Sequence, residues 1–132
     1  MSRSGYTEDW WRKWDIIRWR GAVKSALRGA RGQTFLKELD AALEALPVKR
    51  LIANELEIDG EVCAIGAVGR ARGIEMSKFD MEDCYVSNEI ANAFNIANAM
   101  TCEIMYVNDE FYYSSPEERY EEVRRWVKEN LR

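Results

Sequence analysis

The chain has no histidine, two prolines and three cysteines in 132 residues, and no apolar run near the roughly 18 residues that span a bilayer. Each shortage excludes something. Without histidine there is no Ser-His or Cys-His nucleophile pair, no imidazole general base, and no usual ligand for a transition metal. Any enzymatic reading must therefore rest on carboxylates, lysine, tyrosine or cysteine. Cys63, Cys84 and Cys102 are odd in number, widely spaced and without a C-x-x-C pair, so they form neither a disulfide framework nor a four-ligand zinc site. They read as structural thiols of a reducing compartment. The opening residues MSRSGYTEDW lack the apolar middle of a secretory signal, and a cytoplasmic protein is expected. The glycines Gly66, Gly69 and Gly73 give a GxxGxxxG pattern without the Lys-Ser/Thr that a phosphate loop requires. They read as structural.

Charge and large aromatic surface, by contrast, are concentrated at one end. Residues 1–37 carry nine Lys/Arg against three acids, +6, while residues 38–73 sum to −3 and residues 74–132 to −7, giving the chain's −4. Four of the five tryptophans lie in the same basic end, within the run WWRKWDIIRW. The length and the 47% hydrophobic content suit one hydrophobic core, so residues 1–132 are expected to form a single domain.

Periodicity predicts mostly helix. One amphipathic helix is expected from Thr7 to Arg28, with Ile16, Trp19, Val23, Leu27 and Ala30 as its buried stripe and Gly29 and Gly32 as its stop. Trp10, Trp14 and Ile17 form a second stripe, which one helix in a small domain rarely buries as well, and Gly21 suggests close packing. A second helix should run from Thr34 to Leu46, before Pro47, with Phe35, Leu39, Ala42 and Leu43 inward. Asp59-Gly60 signals a hairpin near residues 56–65, although Leu51, Ile52 and Leu56 suit a helix equally in its first arm, and a helical turn from Ala67 to Arg72 follows, bracketed by glycines. Residues 81–111 read as helical with a break at Asn95, inside the echo IANA-FN-IANA. The last helix is the clearest, with Ser115 as N-cap, Pro116 in first position, and Tyr120, Val123, Trp126, Val127 and Leu131 as its stripe. The expected fold is thus a mainly α, compact domain of five or six helices with a small hairpin.

Four constellations bear on function. The segment NEIANAFNIANAMTCEIM has the spacing of a helix-turn-helix, with Asn95 at the turn and Ile90, Phe94, Ile96 and Ile104 as anchors. Its second helix offers Asn98, Thr101, Glu103 and Asn108, and no base lies between Lys78 and Arg119, so phosphate contacts are lacking there. Two carboxylate groups, Asp80/Glu82/Asp83 and Asn108/Asp109/Glu110, lack the spacing and glycine of an EF-hand and read as helix-end charge. No metal or cofactor is called for. The acidic C-terminal half, with Glu117, Glu118, Glu121, Glu122 and Glu129 on one helix, has the sign to imitate a phosphate backbone and fill a partner's nucleic-acid groove, although Arg119, Arg124, Arg125 and Lys128 dilute it. The opposed candidate is the Trp/Arg-rich first helix. Aromatic and arginine side chains dominate interface energetics, which singles out Trp10, Trp11, Trp14, Arg18 and Arg28 as partner-binding residues. The competing reading makes these arginines a solvated face paired with the acidic half of the same molecule.

The segments WDIIRWRGAVKSALRGARGQTFLKELDAALEALPVKRLIANELE and GEVCAIGAVGRARG, with the later ND and PEERYEEVRRWV, resemble a family of small uncharacterised proteins encoded by bacteriophages and prophages. The resemblance implies expression inside a bacterial host. Small non-catalytic phage proteins often bind host machinery stoichiometrically, CRISPR and restriction complexes included. The expectation is a non-enzymatic protein that binds and occludes a host or phage protein complex, with anti-CRISPR-like inhibition as the specific form. A nucleic-acid-binding regulator is the alternative.

Overall fold

A computed structural model describes Arg3, Ser4 and residues 13–132. Among these residues there are six α-helices and one short hairpin: α1 Lys13–Arg28, α2 Ala30–Ala45, β1 Glu57–Ile58, β2 Glu61–Val62, α3 Ala64–Arg72, α4 Val86–Phe94, α5 Asn98–Asp109 and α6 Pro116–Asn130. The mainly helical class, the helix number and the hairpin are those read from the sequence. No helix among the described residues is long and apolar enough to cross a membrane.

The centre of the fold is α5, which packs against α1, α3, α4 and α6. Met100, Ile104 and Met105 are fully enclosed, and Thr101, Glu103 and Asn108 are buried with them. Helix α2 packs on α1, α3 and α6 through Phe35, Leu36, Leu39, Ala42 and Leu43. Burying such side chains contributes about 1.5 to 3 kcal/mol each, so this two-sided core dominates the stability of the domain.

Local chemistry explains the element ends. Asp59 and Gly60 both take positive φ, 51° and 81°, as a two-residue I′ hairpin turn requires, and Glu57 pairs with Val62 and Ile58 with Glu61. Ser115 accepts the Glu118 amide at 3.1 Å to cap α6, with Pro116 in its first turn. Asn95 adopts the left-handed conformation (φ 59°, ψ 49°) between α4 and α5. That break lets Ile90 and Ile96 of the two IANA copies both reach the core.

Several expectations are corrected. Thr7, the expected start of the first helix, lies outside the described residues. The second helix begins at Ala30, not Thr34, and Gly32 sits inside it. A Cβ on Gly32 would lie 1.9 Å from the Ala26 carbonyl oxygen, so glycine lets the first turn of α2 abut the last turn of α1. Likewise Gly66 and Gly69 lie within α3 rather than at its edges, because a Cβ on Gly66 would lie 2.0 Å from the Leu56 carbonyl oxygen. Gly21, expected to mark close packing, has nothing within 4 Å of a Cβ built on it. In the stripe read for the first helix, Val23 and Leu27 are buried, Ile16 and Trp19 are half-buried, and Ala30 is exposed.

One side chain ties distant ends together. Gln33 Nε2 donates to the Leu27 carbonyl of α1 at 2.7 Å and to the Asn130 carbonyl of α6 at 2.9 Å, while its Oε1 accepts the Arg132 amide at 2.8 Å. Carbonyls left open at two helix ends are thereby satisfied.

Candidate interaction surface

Residues 16–37 contain six bases and no acid. Helix α1 turns Val23 and Leu27 into the core, which leaves Arg18, Lys24 and Arg28 exposed on the other side, with Arg31 and Lys37 exposed on α2. Between the α1 cations lies a shallow open depression lined by Gly21, Lys24, Ser25, Arg28 and Gly29. Its floor carries almost no side chain. Of the six bases only Arg20 makes a described ion pair, at 2.8 Å to the buried Glu103 of α5. Arg18, Lys24, Arg28, Arg31 and Lys37 have no carboxylate within ion-pair distance among the described residues.

Most of the other described basic side chains are engaged. Arg50 pairs with Glu61, Arg70 with Glu57, Arg72 with Glu38, and Arg125 with Glu122. Arg124 and Lys128 of α6 meet Asp40 and Glu44 of α2. Arg119 donates to the Asn108 and Leu51 carbonyls at 2.8 and 3.3 Å. Of the internal pairing expected of the α1 bases, Arg20 makes one pair, to Glu103, while Arg18 and Arg28 are solvated and the α2 acids Asp40 and Glu44 are taken by α6. Two of the sequence-predicted contact residues, Arg18 and Arg28, stand on this unpaired face. Trp10 and Trp11 lie outside the described residues, as does the side chain of Trp14, whose backbone belongs to α1. Lys24 joins them on α1, Arg31 lines a separate depression with Phe35, Arg72 and Phe94, and the acid-free run was the signal for these bases. Trp19 is partly buried against the core.

The helix-turn-helix spacing is realised in backbone but not in exposure. Its second helix is α5, where Thr101, Glu103 and Asn108 are buried and Arg20 occupies Glu103, so no groove can be read from there.

The two carboxylate groups are likewise committed to local structure. Asp80 accepts the Glu82 amide and Asp83 the Tyr85 amide, both at 2.9 Å. Among the described residues no group of three or more acids and thiols is placed to hold a metal ion. Asp109 instead anchors Arg3, whose Nη2 donates to Oδ1 at 2.8 Å and whose Nε donates to Oδ2, with side-chain exposures of 3% and 2%. The Asn54 amide and Asn108 Nδ2 reach the same Oδ1 at 3.0 and 2.8 Å. Beside it, Ser4 donates to Glu110. Arg3 Nη1 also lies 3.6 Å from Cys63 Sγ, which accepts the Gly66 amide at the start of α3. Burial opposes the charge on Arg3, but the coulombic pull of Cys63 and the bonds to Asp109 outweigh it and push the guanidinium pKa up. Cys63 and Cys102 are buried and free, and Cys84 is exposed.

An aromatic projection at the other end of α5 escaped the sequence reading. Phe111 lies edge-on to Tyr106 at 5.1 Å and stays about half exposed, and Tyr112 beside it is 95% exposed. Neither periodicity nor motif singles out two aromatics in a loop. No family model, curated protein or solved structure matches the chain.

Proposed function

We propose that this protein acts by contact and not by turnover: it binds a macromolecular complex stoichiometrically and occludes a working surface of it. The single observation behind this reading is the cluster of exposed, unpaired bases on α1 and α2 in a molecule whose other arginines are largely engaged. Arg18, Lys24 and Arg28 are the contact residues, and arginine is a preferred anchor at interfaces. Taken with the resemblance to phage-encoded proteins, the reading becomes anti-defence inhibition, anti-CRISPR-like in form, inside a bacterial cell. The lack of histidine and the engagement of Asp80, Asp83 and Asp109 in structure agree with a non-catalytic role.

Affinity capture from phage-infected cells tests it. The expected result is one complex recovered with the chain at a fixed stoichiometry by native mass spectrometry, and lost for the variant Arg18→Glu/Lys24→Glu/Arg28→Glu. Recovery that is unchanged by the charge reversal, or turnover of a small molecule by the pure protein, would remove the proposal.

A further inference from the structure

We infer that the solvent face of α1 docks on the sugar-phosphate backbone of a nucleic-acid duplex, without reading its sequence. This rests on the reading of α1 as the contact surface and names what that surface touches. Arg18, Lys24 and Arg28 are exposed on one helix and have no described ion-pair partner. From Arg18 to Arg28 the helix rises about 15 Å, a length over which one strand of a duplex presents a phosphate roughly every 3.4 Å of axis. The depression beside Lys24 and Arg28 is lined otherwise by Gly21, Ser25 and Gly29, so a backbone can approach the helix closely with a serine hydroxyl and two cationic side chains around it, and Arg18 stands further along the same helix. Those donors are the ones that phosphates ordinarily receive.

The described part of the face is cationic and small, and its charge is what argues for a phosphate backbone. Here the one large hydrophobic residue exposed among the described residues of α1 is Ile17, and glycine, alanine and serine make up the rest between the cations. No acid occurs from residue 16 to residue 37, so the face itself offers no repulsion to phosphate. The negative excess lies in the remaining chain, and acids beyond the Debye length, about 8 Å at physiological salt, oppose the contact little. The affinity is accordingly modest and strongly dependent on salt.

The test is fluorescence anisotropy of a short labelled duplex of mixed sequence, titrated with the full chain between about 50 and 200 mM salt. Three phosphate contacts predict a slope of log K against log salt of about −2.7, so binding weakens roughly 40-fold across that range. Amide chemical-shift changes should fall on Arg18 to Arg31. Arg28→Gln should reduce the slope by about 0.9, and Arg18→Glu/Lys24→Glu/Arg28→Glu should abolish binding while circular dichroism and melting stay unchanged. Absence of binding at about 50 mM salt, a flat salt dependence, or binding that survives charge reversal would overturn the inference. Capture of a nuclease-resistant complex that needs the three cations, together with no affinity for the duplex, would overturn it in favour of an acidic protein partner and leave the proposed function standing.

Discussion

Replacing Arg3 by alanine should cost far more than its place near the start of the chain suggests. The side chains of Arg3 and Asp109 are 3% and 2% exposed, so removing the guanidinium strands a carboxylate out of water. Breaking one side of a buried pair costs about 3 to 5 kcal/mol. Asp109 keeps two donors, the Asn54 amide and Asn108 Nδ2, which places Arg3→Ala near the lower end, at about 3 kcal/mol. Asp109→Asn leaves the buried Arg3 guanidinium without a countercharge and sets an amide donor against one of its own donors, for about 3 kcal/mol or more. The double variant has no buried charge left unmatched and should lose about 3 kcal/mol, not the additive 6, a coupling of about 3 kcal/mol. Urea unfolding followed by tryptophan fluorescence measures all four proteins, and the m-value should hold constant. Raising salt to about 1 M should leave the coupling nearly intact, because a buried pair is poorly screened. A cost below about 0.5 kcal/mol for Arg3→Ala, or additivity in the double variant, would refute the reasoning.

Three further outcomes follow from the same packing. Gly21→Ala should stabilise the protein by about 1 kcal/mol in thermal unfolding, since the helical position is open and glycine is the poorer helix former. A thiol reagent should modify one cysteine of the native protein quickly, Cys84; Cys63 and Cys102 are buried, and burial pushes the Cys102 thiol up, so both should react only as the fold opens. The bonds from Arg72 hold the Glu38 carboxyl below its ordinary value of 4.5, so its stabilising contribution is present above that pH and lost as pH falls through the lowered value. Melting temperatures from pH 6 down to pH 3 should therefore fall less steeply for Glu38→Gln than for the parent.

Features set by neighbours in sequence were the legible ones. The stripe of α2, the Ser115-Pro116 start of α6, the Asp59-Gly60 turn and the break at Asn95 each follow from a few adjacent residues. What escaped depends on approach across the fold. Gly32 and Gly66 look like helix breakers in isolation, and only the nearness of the Ala26 and Leu56 carbonyls explains why each is needed within a helix. The enclosure of α5 was hidden by its Thr101, Glu103 and Asn108, polar residues whose partners come from elsewhere: Arg20 for Glu103, and the Ala64 amide and Ile52 carbonyl for Asn108. The Arg3–Asp109 pair spans 106 positions and leaves no pattern in either segment. Of the contact surface, Arg18 and Arg28 were evident from composition, but that they stay unpaired depends on where the fold places the acids.

The triple role of Gln33 has a mechanical consequence. Because a single amide fastens the last turns of α1 and α6, fraying at either should loosen the other, and their amide protons should exchange with solvent together even though α1 and α6 stand at opposite ends of the chain. A ligand that clamps the α1 end would then slow exchange in the α6 end, a remote signature of binding with no shift in shape.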